Sequence, residues 1–159
     1  MSRNPLKLGP QGDRDVVVER SFDAPRDLVF EAFTKPELVK RWMLGPDGWS
    51  MPVCTIDLRP GGKGRYEWTS DSGGPGMTLN STFKEIIAPE RIVHTERFEP
   101  DWTQGDTIVT TTFTEKDGKT IVRMTITYPT AEGRDMVLKS GMEQGMARGY
   151  ERLDDILKR

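Results

Sequence analysis

At 159 residues the chain is one ordinary domain, long enough to bury a single core. Its 23 Lys and Arg against 25 Asp and Glu leave a formal charge of −2, so the basic excess that holds nucleic acid or an acidic lipid surface is missing. One cysteine, Cys54, and one histidine, His94, exclude an internal disulfide and a Cys/His zinc cage, and no metal or cofactor motif is present.

Residues 1–14 carry Pro5, Gly9, Pro10 and Gly12 without periodicity and read as a flexible tail, leaving residues 15–159 as a single domain. The tail has no apolar signal core. No apolar run approaches the roughly 18 residues of a membrane span. A cytoplasmic location with no membrane or nucleic-acid partner is therefore expected, and the sequon at Asn80 is a chance match. Val16 to Phe22 is β-branched and then alternating, a strand. Asp23-Ala-Pro25 stops it and opens a short helix, with Pro25 suited to the first helical position. Val29, Ala32 and Phe33 form its buried stripe. Thr34-Lys-Pro-Glu37 has the pattern of a capping box, and Leu38, Val39, Trp42 and Met43 give the second short helix one apolar face. Gly45-Pro46 ends it.

From residue 52 to 128 the text becomes six strands separated by turn clusters at Pro60-Gly-Gly62, Ser72–Gly76, Ala88-Pro89, Pro100-Asp101 and Asp117-Gly118. The last is a strong two-residue hairpin signal, and connections this short suit antiparallel neighbours. After residue 131 one long helix is expected, with Leu138, Met142, Met146, Leu153 and Ile156 as its stripe. The resulting fold class is α+β: a curved antiparallel sheet of about seven strands around a long C-terminal helix, with two short helices after the first strand. A cavity between that sheet and that helix is the natural place for a ligand.

These residues resemble a known family. Arg20-Ser-Phe-Asp-Ala-Pro25, then Val29, Ala32, Arg41-Trp42 and Gly45-Pro46, resemble the helix-grip superfamily called SRPBCC or START-like, of Bet v type. Asp57–Gly62, Glu85-Ile86, Pro89–Val93 and Thr95-Glu96 resemble, within it, the family named after activators of the heat-shock-chaperone ATPase. The resemblance covers roughly residues 15 to 158 and implies the helix-grip fold. The same scaffold hosts carriers, cyclases, resistance proteins and co-chaperones. Three positions depart from the family's habit. Gly64 stands where an aromatic is common, Ser81 where glycine is common, and Met146 follows Gly145 where many members have Gly-Trp. A small residue at Gly64 enlarges the cavity unless Trp68 fills the space.

Gly61-Gly-Lys-Gly64 lacks the helix that must follow a phosphate loop, so a hairpin turn is expected instead. No nucleophile elbow is present, and Cys54 lies in an alternating strand with nothing to activate it. His94 and Glu96 share a strand face and suit polar groups in the cavity. A hydrogen-bonded histidine without catalytic work is the preferred reading, with proton transfer its role if it acts. Glu67, Glu85 and Glu96 are candidates for a general acid/base pair, against the preferred reading of each as a surface carboxylate, and for Glu85 and Glu96 an ion pair with an arginine such as Arg41, Arg59 or Arg91 is the further alternative. Tyr66 and Trp68 share a face, as do Met124, Ile126 and Tyr128, and likewise Val109, Thr111 and Phe113. With Trp42 and the adaptable Met142 and Met146 they form a candidate lining, against the alternative that each merely fills the core. Thr82, with His94 and Glu96, is a candidate for orienting a ligand's polar end. Gly141, Gly145 and Gly149 make one smooth helix face, against which bulky sheet residues press or a ligand finds space, the former expected at Gly149; Trp49 and Trp102 sit in loops, over the cavity mouth or packed on the surface.

The expected function is binding of a small, largely apolar molecule, by a monomer or a homodimer, without cofactor. The alternatives are an aromatase/cyclase or hydrolytic enzyme on the same scaffold, and a chaperone partner of the ATPase-activator kind.

Overall fold

The computed structural model describes residues 4–158. Eight strands form one antiparallel sheet. They are β1 (Lys7–Gln11), β2 (Asp15–Phe22), β3 (Trp49–Ile56), β4 (Lys63–Ser70), β5 (Met77–Ile87), β6 (Arg91–Glu99), β7 (Thr107–Lys116) and β8 (Lys119–Thr127). Their order across the sheet is β1-β2-β8-β7-β6-β5-β4-β3. Four helices cover one face: α1 (Arg26–Thr34), α2 (Pro36–Trp42), α3 (Ala131–Leu138) and α4 (Met142–Leu157). Among the described residues no helix is long and apolar enough to cross a membrane.

Side-chain alternation decides which face is covered. In β2 Val16, Val18, Arg20 and Phe22 point under the helices, and in β8 Val122 and Ile126 do the same, in register with Arg20 and Val16. The β7–β8 hairpin closes as expected at Asp117-Gly118, both with positive φ, 55° and 76°.

Two expectations need correction. Residues 7–11, assigned to a loose tail, are β1, paired along β2 from Lys7 opposite Glu19 to Gln11 opposite Asp15. This strand lies at the sheet edge with most of its residues exposed, so no buried face imposes an apolar alternation, and Pro10 is tolerated there. The terminal helix is also two helices. Gly141 takes a left-handed φ of 87° between α3 and α4, a conformation that glycine adopts without strain. Smaller shifts occur in the first two helices. Pro25 is the N-cap of α1 rather than its first residue. Thr34 belongs to the end of α1 and bonds back to the Phe30 carbonyl at 2.8 Å, so no capping box forms and α2 starts at Pro36.

The covered face holds two apolar clusters. The larger joins β2, β7 and β8 to α1 and α4 through Phe22, Phe30, Phe113, Val122, Tyr150 and Leu153. The smaller joins α2 to β3, β4 and β5 through Val39, Met51, Tyr66, Trp68 and Leu79. One ion pair ties α4 to the sheet. Arg20, 3% exposed, donates through both terminal nitrogens to Asp154 at 2.8 and 2.6 Å and lies over the Phe22 ring. A charge this deeply buried requires such a bidentate partner.

Candidate functional site

The fully buried members of the two clusters are separate, although the partly buried Met43 and Ile56 pack against both. On β5, Leu79 belongs to the smaller and Phe83 to the larger, and Ser81 lies between them. On β6 the same face carries His94 and Glu96 between Ile92 and Phe98. Strand register places Ser81 opposite Glu96, Glu96 opposite Thr107, and Gly64 opposite Ser81. A polar row therefore crosses the covered face along the seam between two apolar regions.

The seam's geometry is specific. Nε2 of His94 lies 2.9 Å from Oε2 of Glu96, with the side chains 16% and 26% exposed. The hydroxyl of Ser81, a residue only 3% exposed, and Nδ1 of His94 are both buried without a hydrogen-bond partner. A Cβ placed on Gly64 would meet the Tyr66 hydroxyl at 3.2 Å and Ser81 Cβ at 3.4 Å. Tyr66, not Trp68, thus occupies the space that the missing side chain leaves. Burial first, then the nearby Glu96 charge, pushes the phenols of Tyr66 and Tyr128 well above the usual tyrosine range. Both stay protonated at neutral pH and remain hydrogen-bond donors beside a carboxylate.

His94 and Glu96 share one face of β6, as expected, and lie in this seam, with Tyr66 at its edge. Met124, Met142 and Met146 are partly buried against the larger cluster and line its side. Trp102 packs at a tilt against Phe98, ring centroids 5.5 Å apart. The remaining candidates lie elsewhere. Trp42 is 3% exposed, donates to the Ala32 carbonyl at 2.8 Å and packs between Phe33 and Tyr150, so it is core. Phe113 packs edge-on against Phe30 and Phe33, and Thr111 is buried one β7 position along the same face. Trp68 is fixed in the smaller cluster, its indole donating to the Met43 carbonyl at 2.8 Å. Thr82 is out of phase with Leu79, Ser81 and Phe83. It points to the uncovered face, where its hydroxyl accepts from Lys63 at 2.9 Å. Ser81 takes the place expected for Thr82.

The discarded and competing chemistry resolves in the same way. The Gly61 and Gly62 amides are engaged by the Phe83 and Arg59 carbonyls at 2.8 Å, as a hairpin turn requires and a phosphate loop forbids. Glu85 pairs with Arg91 at 2.6 Å and Glu67 with Arg65 at 2.7 Å, both of them ordinary surface ion pairs. Gly149 lies under α2, not under bulky sheet residues, since its Cβ would meet the Trp42 carbonyl at 3.0 Å. Trp49 begins β3 and packs on the smaller cluster. Two open grooves also exist. One of about 690 Å³ runs past Lys63, Arg65, Thr82 and Arg97 of the uncovered face and also touches Gly64, Ser81 and Glu96, and one of about 360 Å³ follows β1; neither is lined by α4.

A family model described as Activator of Hsp90 ATPase homolog 1-like protein matches residues 23–158. A crystal structure of a Rhodobacter sphaeroides protein is 30% identical with a TM-score of 0.89, covering 96% of this chain and 98% of that one. A Staphylococcus epidermidis protein solved by NMR is 26% identical at a TM-score of 0.81, over 95% and 93% of the two chains. A Mycobacterium smegmatis crystal structure, 24% identical with a TM-score of 0.85 over 97% and 98%, supports the fold alone. No curated protein matches the chain by sequence. The match over most of the chain and the shared architecture agree: this protein belongs to the family of Activator of Hsp90 ATPase homolog 1-like proteins, on the helix-grip fold of the SRPBCC superfamily.

Proposed function

We propose that the chain binds a small, largely apolar molecule between the covered face of the sheet and the N-terminal half of α4, with the molecule's polar end in the Ser81–His94–Glu96 seam. The observation that carries this reading is the pair of buried, unpartnered polar atoms, Ser81 Oγ and His94 Nδ1. Leaving such an atom unsatisfied costs about 1–3 kcal/mol, and native proteins hold few of them. A ligand that supplies the missing hydrogen bonds removes that cost.

The surroundings suit the rest of the molecule. Residues Met142 to Arg148 of α4 are, in the main, only partly buried, whereas Gly149, Tyr150, Leu153 and Ile156 are fully packed. Met142, Met146 and Met124, partly buried against the larger cluster, have unbranched side chains that adapt to an apolar guest at little cost. Burial of roughly 200 Å² of apolar ligand surface contributes about 5 kcal/mol.

Thermal shift across a panel of lipophilic compounds, joined with native mass spectrometry of protein from its own host, tests the reading. A ligand at 100 times its Kd adds about 2.7 kcal/mol, a rise of roughly 5–10 °C for a chain of this size. If no compound raises Tm and no small molecule is retained in the mass spectrum, the reading is wrong.

A further inference from the structure

Resting on that reading, the hydrogen-bonding arithmetic of the seam narrows the ligand's polar end. An ionised carboxylate only accepts, so the 2.9 Å contact from Glu96 places the ring proton of His94 on Nε2. In the neutral imidazole Nδ1 then carries a lone pair, and it is a buried acceptor with nothing to accept from. Ser81 Oγ, the second orphan, both donates and accepts. Ser81 stands opposite Glu96 and Phe83 opposite His94, so Ser81 and His94 are diagonal neighbours on one face. Such residues lie about 7–8 Å apart across neighbouring strands, a gap that a single ligand atom between the two side chains would bridge.

We infer that the ligand presents a hydroxyl, a phenol or an enol, that donates to His94 Nδ1 and accepts from Ser81 Oγ. One hydroxyl satisfies both orphans with one donor and one acceptor. An ether or ketone has no proton for Nδ1. A carboxylate has none either and would face the charge of Glu96. An ammonium would find acceptors in Nδ1 and Glu96, but it accepts nothing itself and leaves the Ser81 hydroxyl proton unmet.

His94 is the only histidine of the chain, so nitrogen-15 NMR of the imidazole ring reads this site without assignment. The free protein is expected to show the Nε2-protonated tautomer, and a proton on Nδ1 overturns the inference. Two matched pairs are then titrated by calorimetry: 2-naphthol against its methyl ether, and 4-octylphenol against its methyl ether. The phenols are expected to bind about tenfold more tightly and to move the Nδ1 resonance, which the ethers leave in place. His94→Leu is expected to make phenol and ether equal. Ser81→Ala, which removes a group without a partner and so leaves the fold intact, is expected to narrow the difference. Ethers that match the phenols while Nδ1 stays unmoved overturn the hydroxyl assignment and leave the pocket standing. Binding of neither member of either pair counts against the pocket, and the hydroxyl assignment falls with it.

Discussion

Cys54 shows how far a single side chain's chemistry follows from the face it occupies. It lies on β3 opposite Tyr66 and is partly buried against the smaller cluster. Burial pushes its thiol up to about 11 from an ordinary 9.0, with smaller opposing effects from Lys40 and Glu37. At pH 8 its thiolate is therefore about a hundredfold scarcer than that of an exposed thiol. Alkylation by iodoacetamide, followed by intact mass, is expected to run about a hundredfold slower than for a small free thiol and to climb until about pH 11. Because the folded state favours the neutral thiol, its contribution to stability is held below the ordinary thiol range and lost as pH rises through about 11. Equal rates at pH 8 would show that Cys54 is not shielded. The Ser81–Thr82 pair marks the limit of residue-scale reading. Both are small hydroxyl residues in a mixed polar run, and only their phase relative to Leu79 and Phe83 tells them apart. That phase was legible in the sequence; its significance depended on knowing that both neighbours are buried.

At the scale of elements, the strands and their turns were legible because a half-buried strand writes its burial into alternating side chains. β1 was not, since an exposed edge strand writes nothing. The break between α3 and α4 was hidden for a different reason. Gly141, Gly145 and Gly149 form one series in the sequence, yet only Gly141 has a left-handed backbone. The other two are helical and differ in what they face. A Cβ on Gly145 would make ordinary contacts at 3.5 Å with Pro46, while one on Gly149 would press on the Trp42 carbonyl at 3.0 Å. Gly145→Ala is therefore expected to stabilise the protein by up to about 1 kcal/mol through helix propensity. Gly149→Ala is expected to destabilise it by about 1–3 kcal/mol, because α4 must move away from α2. Thermal denaturation of the two variants checks the contrast; a rise in Tm for Gly149→Ala would mean that the α2–α4 contact is slack.

For the molecule as a whole, what remains after the sheet is formed is how α4 is held over it. The amphipathic stripe told which face of the terminal segment turns inward, but the tethers are pairs distant in sequence that no local pattern records. Arg20 with Asp154 secures the C-terminal half. Nearer the middle of α4, Asp47, in the loop after α2, accepts from Arg148 at 2.8 Å and from Arg152 at 3.0 Å. Those two guanidiniums, Arg148 first, hold the Asp47 carboxyl below its ordinary value. A depressed carboxyl stabilises the folded state above the unfolded aspartate range and loses that contribution as pH falls through the lower folded value. Asp47→Asn is accordingly expected to lower Tm slightly at neutral pH, and the difference from the parent protein is expected to close as the solution is taken to acid. Because Asp47 is fully exposed, added salt should shrink the neutral-pH difference as well. Tm measured from pH 7 down to pH 2 at low and high salt checks both trends. A difference that persisted unchanged into acid would assign the anchoring of α4 to packing on Trp42 and Tyr150 and to the Arg20–Asp154 pair, with no part left for Asp47.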